Sequence, residues 1–169
     1  MKSFLLTFSA LMVFLSGTTY SQQYQFNHFG VNEGLSQLFV YTINQDDQGF
    51  LWIGTGEGLF RFDGFRFRHY TKEDSLAGNF VTTSLKDGEG NVWFGHMNGG
   101  ITCFNGNRFI RINPGGFQNA ITGIAEGENG DVWFATQREG LLRVNRQQKI
   151  RRYSVPFDQE YISSLHYLE

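Results

Sequence analysis

The sequence predicts an all-β chain of β-propeller type, in which four-stranded sheets repeat around an axis. Three observations carry that prediction. One phrase recurs three times, as Gln48-Gly49-Phe50-Leu51-Trp52-Ile53-Gly54-Thr55, Glu89-Gly90-Asn91-Val92-Trp93-Phe94-Gly95-His96 and Asn129-Gly130-Asp131-Val132-Trp133-Phe134-Ala135-Thr136. The three Trp residues of the chain stand 41 and 40 residues apart, and a period near forty with a turn before an aromatic strand marks a propeller blade. Gly at 21 copies, aromatics at 17% and only 2 Pro suit tight hairpins between half-buried strands.

The elements follow in order. In the first unit, strands are expected at 38–44, 50–55, 59–62 and 65–70. Val40, Thr42 and Asn44 alternate against Tyr41 and Ile43, and Asp63-Gly64 reads as a type I′ hairpin. In the second unit they fall at 81–85, 92–95, 101–104 and 109–112, with Asn105-Gly106 as the hairpin. In the third they fall at 121–125, 132–136, 141–144 and 150–153. There Asn145-Arg146 replaces Asn-Gly, which predicts a longer or looser turn. Complete blades are therefore expected at 38–70, 80–112 and 120–153.

The two ends carry further expectations. Phe26-Asn27-His28-Phe29 stands 41 residues before Phe67-Arg68-His69-Tyr70, so 24–29 reads as the outer strand of a closing blade. Tyr161-Ile162-Ser163-Ser164-Leu165 opens a fourth unit within 160–169. Three full blades with partial blades at both ends make an incomplete ring. A stretch such as 22–169 then reads as the N-terminal part of a longer propeller, as a truncated fragment, or as a piece that assembles with copies of itself. Residues 1–21 read as a secretory signal peptide. Lys2 precedes an apolar run over 4–15, and Thr19 and Ser21 occupy the small-residue positions before the cut. The run is too short to span a bilayer.

Composition narrows the function classes. A net charge of −2 with 18% charged residues argues against a nucleic-acid partner. Cys103 is the single cysteine, so the exported chain has no internal disulfide, and its strand context reads as a buried, inert thiol. No Ser-His-Asp set, GxSxG elbow, HExxH, phosphate loop or CxxC occurs, and no catalytic residue, metal or cofactor is assigned. Asp87-Gly88-Glu89-Gly90-Asn91 places acceptors at alternate positions. Val92 stands where a calcium loop needs Gly, so these side chains are expected to bond the local backbone.

Trp52, Trp93 and Trp133 are assigned to packing between blades rather than to sugar stacking, and Gly49, Gly90 and Gly130 to the turns. His28 and His69 are equivalent positions of the repeat. His96 replaces a Thr at the end of a second strand and reads either as a solvated loop histidine or as a ligand contact. The loops after each second strand gather on one face of a propeller. Their polar residues, Thr55, Glu57, His96, Asn98, Gln137 and Arg138, are the ligand-binding candidates.

Glu33-Gly34-Leu35-Ser36, then 40–47, then Gly49-Phe50-Leu51-Trp52-Ile53-Gly54-Thr55 and Gly58-Leu59-Phe60-Arg61-Phe62-Asp63-Gly64, resemble the two-component regulator propeller repeat. The resemblance covers 24–169 and departs at His96, at Ala135 and at the Arg146 turn. It implies a periplasmic sensor region of a hybrid two-component system of the Bacteroidetes type. In that family the propeller leads to an immunoglobulin-like domain, a membrane helix and a histidine kinase, all outside these 169 residues. The implied role is binding a nutrient-derived ligand such as an oligosaccharide, or relaying dimerisation as a homodimer. The alternatives are a propeller lyase similar to streptogramin lyase, with His96 as its one candidate base, and a non-catalytic protein-interaction propeller.

Overall fold

The computed structural model describes residues 25–37, 39–154 and 165. The expected signal segment, Leu38, His166 and nearly all of the expected fourth-blade opening lie outside the described residues.

Glycine closes each unit's first turn. Gly49, Gly90 and Gly130 take φ of 88°, 84° and 72°, the left-handed region where a Cβ is strained. From those turns the chain folds into three four-stranded antiparallel sheets in strict chain order. The first contains β1 (Val40–Gln45), β2 (Leu51–Thr55), β3 (Leu59–Phe62) and β4 (Phe67–Tyr70). The second contains β5 (Val81–Lys86), β6 (Val92–His96), β7 (Ile101–Phe104) and β8 (Phe109–Ile112). The third contains β9 (Ile121–Glu126), β10 (Val132–Thr136), β11 (Leu141–Val144) and β12 (Ile150–Tyr153). These are the expected propeller blades, and among the described residues they close no ring.

First strands of neighbouring blades lie side by side. Thr42 Oγ1 meets Ser84 Oγ at 2.6 Å, and Thr82 Oγ1 donates to the Ile121 carbonyl at 2.6 Å. Gly95 permits this approach, since a Cβ there would stand 2.6 Å from Ile121 Cγ2 of the next blade. Between blades the core is aromatic. Trp52 is fully buried against Phe94, Phe104 and Phe109 of the second blade, with ring centroids 5.7, 4.8 and 5.8 Å away. Trp93 meets Phe134 of the third blade at 5.7 Å. The Trp residues of the first two blades are interblade packing, as expected, with no exposed face for a sugar.

Two local expectations are corrected. The simple alternation along the first strand is broken by a bulge between Val40 and Thr42, repeated between Val81 and Thr83 in the second blade and opposite Ala135 and Thr136 in the third. An extra residue at the same place in each blade turns the strand end without breaking the ladder, a use of bulges that side-chain patterning does not register. The first hairpin is not type I′. Asp63 N donates to the Arg66 carbonyl, which makes Gly64 and Phe65 the loop residues, and only Gly64 has positive φ. Type I′ needs positive φ at both central positions, and here only the first has it. Asp63 Oδ1 accepts the Phe65 and Arg66 N–H groups at 2.8 and 2.7 Å, and these bonds hold its carboxyl below the usual range. The third hairpin is longer, as expected. Asn145 N donates to the Lys149 carbonyl, where Asn105 N reaches only as far as Arg108.

Ahead of β1, residues 25–30 form no ladder with any described strand. The Phe29 ring packs instead on Phe62 at 4.9 Å and Phe67 at 6.0 Å. No described helix is long and apolar enough to cross a membrane.

Candidate functional site

Antiparallel order sends the connections after β2, β6 and β10 to one edge of the sheets, together with those after β4 and β8. All six candidate residues lie on that edge, and the structure separates them into two groups.

Thr55 and Thr136 end their strands fully buried. Thr55 Oγ1 donates to the Gly58 carbonyl at 2.9 Å, and Thr136 Oγ1 to the Gly140 carbonyl at 2.8 Å. Each hydroxyl also accepts a loop N–H, from Glu57 at 3.3 Å and from Glu139 at 2.9 Å. These threonines shape the loop and offer nothing outward. His96 occupies the same position and is also fully buried, which corrects the solvated-loop reading. A threonine hydroxyl reaches only its own loop, whereas the imidazole reaches inward, where Nε2 shares a hydrogen bond with Thr102 Oγ1 at 2.8 Å. Thr102 Oγ1 in turn accepts from Ala77 N at 2.9 Å, so the ring is tied to the connection between blades. Burial pushes the His96 pKa down to about 4, outweighing the nearby main chain of Phe80 and Gly78, which favours the charged ring.

Glu57, Asn98 and Arg138 are the exposed candidates, one from each blade, and Gln137 is half-buried. Asn98 Nδ2 donates to the Ala77 carbonyl at 3.0 Å, and its Oδ1 accepts Gly100 N at 3.3 Å. Gln137 N donates to the Ala120 carbonyl at 2.9 Å, repeating the bond from Met97 N to Phe80 at 3.0 Å. Main-chain bonds and the Asn98 side chain hold these loops. Sequence reasoning missed Glu139. Its Oε2, like His96 Nδ1, is buried without a hydrogen-bond partner. Unpartnered buried polar atoms are rare, and finding two on one edge singles that edge out. Neither carries a sequence motif.

The turns at the opposite ends of β1 and β5 engage their acids locally. Asp46 Oδ1 accepts Gln48 N and Phe50 N at 3.0 and 2.9 Å, while Oδ2 accepts Trp52 Nε1 at 2.8 Å. Asp87 does the same with Glu89 N, Asn91 N and Trp93 Nε1 at 3.0, 2.8 and 2.7 Å. Both carboxylate oxygens are engaged by protein donors, as the turn reading expects. No group of three or more His, Cys, Asp or Glu among the described residues is placed to hold a metal. The Asp–indole bond itself was also missed, though an Asp six residues before two of the three Trp residues is its signal. Cys103 is buried, and desolvation followed by the charge of Asp87 pushes its thiol up to about 12, so it stays protonated and inert.

The family model described as two component regulator propeller matches residues 34–57 and 75–98. Among solved structures, the chain is similar to the extracellular domain of BT3049, described as a hybrid two component system, from B. thetaiotaomicron. Identity is 29% over 76% of this chain and 20% of that one, with a TM-score of 0.68. A second such domain, BT4673 from the same organism, matches at 24% identity over 64% of this chain and 16% of that one, TM-score 0.53, and shows the fold alone. A catalytically inactive virginiamycin B lyase from Staphylococcus aureus with quinupristin matches at 25% identity over 74% of this chain and 44% of that one, TM-score 0.62. The chain spans about a fifth of the length of the BT3049 domain and under half that of the lyase. No curated protein matches.

Proposed function

We propose, from the two-component regulator propeller repeats that the chain carries, that it forms part of the extracytoplasmic sensor region of a two-component signalling protein. Its task is to recognise a nutrient-derived ligand, an oligosaccharide in our reading, on the edge that displays Glu57, Asn98 and Arg138. The observation that carries this is the pair of matched repeats at 34–57 and 75–98, on a fold shared with the BT3049 extracellular domain. The two unpartnered buried atoms on the same edge, His96 Nδ1 and Glu139 Oε2, support the placement. Signal passes as a change in blade packing or as dimerisation toward a membrane-bound kinase, and the segment makes and breaks no bond.

A lyase needs a base that substrate can reach. His96 is buried, with Nε2 engaged by Thr102, which weighs against that role for this segment.

The test is a transcriptional reporter driven by the intact receptor in its own cell, with Glu57→Ala, Arg138→Ala and Glu139→Gln introduced singly. The expected result is a weakened response to the inducing saccharide at normal receptor level. An unchanged response in all three overturns the placement.

A further inference from the structure

The blades also differ along their outer strands, at β3, β4 and the hairpin that joins β7 to β8. Between the first and second blades lies a cleft of about 530 Å³. Arg61 and Arg68 line it from β3 and β4, where they are cross-strand partners, and Arg108 lines it from the β7–β8 hairpin. None of the three makes an ion pair with a described residue. Aromatic rings hold two of them instead. The Arg61 guanidinium lies 4.2 Å over the Phe50 ring, and that of Arg68 lies 5.0 Å over Tyr70. Stacking uses the face of a guanidinium and leaves its in-plane N–H groups free to donate. The one acid in the wall, Asp74, is engaged elsewhere, its Oδ2 accepting Thr71 N at 2.9 Å. Three cations against one anion leave a positive cleft on a chain whose net charge is −2.

The next cleft is an internal control. Between the second and third blades the space is about 220 Å³. Cys103 and Ile110 are the cross-strand partners at the positions of Arg61 and Arg68. Its walls also carry a bound pair of their own, Arg146 to Glu89 at 2.9 Å. The same architecture therefore closes one cleft with a salt bridge and leaves the other open, cationic and larger.

We propose that the cleft between the first two blades binds a small ligand through a carboxylate or sulfate group. The in-plane donors of Arg61, Arg68 and Arg108 take the anion, in the geometry that suits planar guanidinium. Behind them Tyr70 and Phe104 are buried and Phe109 half-buried, so the guanidinium groups rather than the rings are what a ligand meets. This site goes beyond the sensory reading and stands whether or not the propeller reports to a kinase.

Calorimetric titration of the full chain at low salt tests it, with sodium glucuronate, glucose and sodium sulfate as probes. Glucuronate is expected to bind and glucose not, and affinity should fall as salt rises. The Arg68→Gln/Arg108→Gln double variant should lower affinity by about tenfold or more, the scale of losing charge-assisted bonds. Both side chains are exposed, and an unchanged circular dichroism melt confirms the fold of the variant. Glu89→Gln, which breaks the pair in the other cleft, should leave binding unchanged. Binding of sulfate without glucuronate identifies a free oxyanion as occupant and still supports the anion site. No binding of either anion at millimolar concentration, or binding indifferent to the double variant, overturns the proposal.

Discussion

The first two blades and the third bury the same tryptophan in different ways. Asp46 and Asp87 accept the indole N–H of Trp52 and Trp93, and those rings are 0% and 6% exposed. In the third blade Gly127 stands at the aspartate position, Trp133 is only half-buried, and its nearest ring partner is Tyr153 of its own blade at 5.0 Å. The nearby acid, Asp131, is engaged with Arg143 instead, accepting Nε at 2.7 Å. An indole can be sealed inside a blade interface where a carboxylate meets its one donor. Trp52 and Trp93 are also covered by rings of the following blade, whereas no blade beyond Trp133 lies among the described residues.

The strongest way to break this comparison is to remove the rings. Trp52→Ala should cost about 3–5 kcal/mol, the range for truncating a buried aromatic. Trp133→Ala should cost well under half of that, because the ring has less area to lose. Urea unfolding of the two variants reads the difference, and equal costs would contradict it. Removing the acceptor comes next. Asp87→Ala leaves a buried indole N–H and two turn N–H groups without their acceptor, at a cost of about 2–3 kcal/mol. Gly127→Asp is not the converse rescue. A Cβ on Gly127 would stand 2.7 Å from Trp133 Nε1, so the ring has to move before a carboxylate can reach it.

The blades differ again at their strand ends, where His96 replaces the threonine of its neighbours. Because burial holds its folded pKa near 4 against 6.5 in the open chain, the unfolded state binds more protons between those values. The stability concerned is complete above about pH 6.5 and is lost as the pH falls toward 4. At pH 5 the loss is about 2 kcal/mol, so His96→Thr should flatten the fall in melting temperature between pH 7.5 and pH 5. A variant as acid-sensitive as the parent would show that the proton goes elsewhere.

The contrast between blades also explains what the sequence disclosed. Strand bounds were legible to within two residues because most strands are bracketed by glycine turns and centred on a Trp or an apolar alternation. The hairpin after Asn145 was legible from a missing glycine. The bulge near Tyr41, Thr82 and Thr122 was not, since an added residue leaves the composition of a strand unchanged and shows only in the ladder. The candidate loops were placed on the correct edge by topology. Which of their side chains face outward was hidden, because a Thr or His ending a strand can turn inward to bond its own loop or a neighbouring strand. The arginine-lined cleft was hidden for a different reason, since its walls come from two blades some forty residues apart and no spacing rule joins them.

The smallest expected effect lies at the outer hairpins. The two-residue loop of the second blade takes left-handed φ at Gly106, 82°, where a side chain would be strained, whereas the third blade places Gln148 at 59°. A side chain in that region costs about 1 kcal/mol, and glycine returns part of the gain through its larger freedom in the unfolded chain. Gln148→Gly should therefore stabilise by about 0.5 kcal/mol, while Gly106→Ala should destabilise by about 1 kcal/mol. Opposite signs from the two substitutions, read in the same denaturant titration, would show that the third blade carries backbone strain the second avoids. The same sign from both would place the difference in side-chain contacts of the longer loop, where Gln148 N already donates to the Asn145 carbonyl at 2.8 Å.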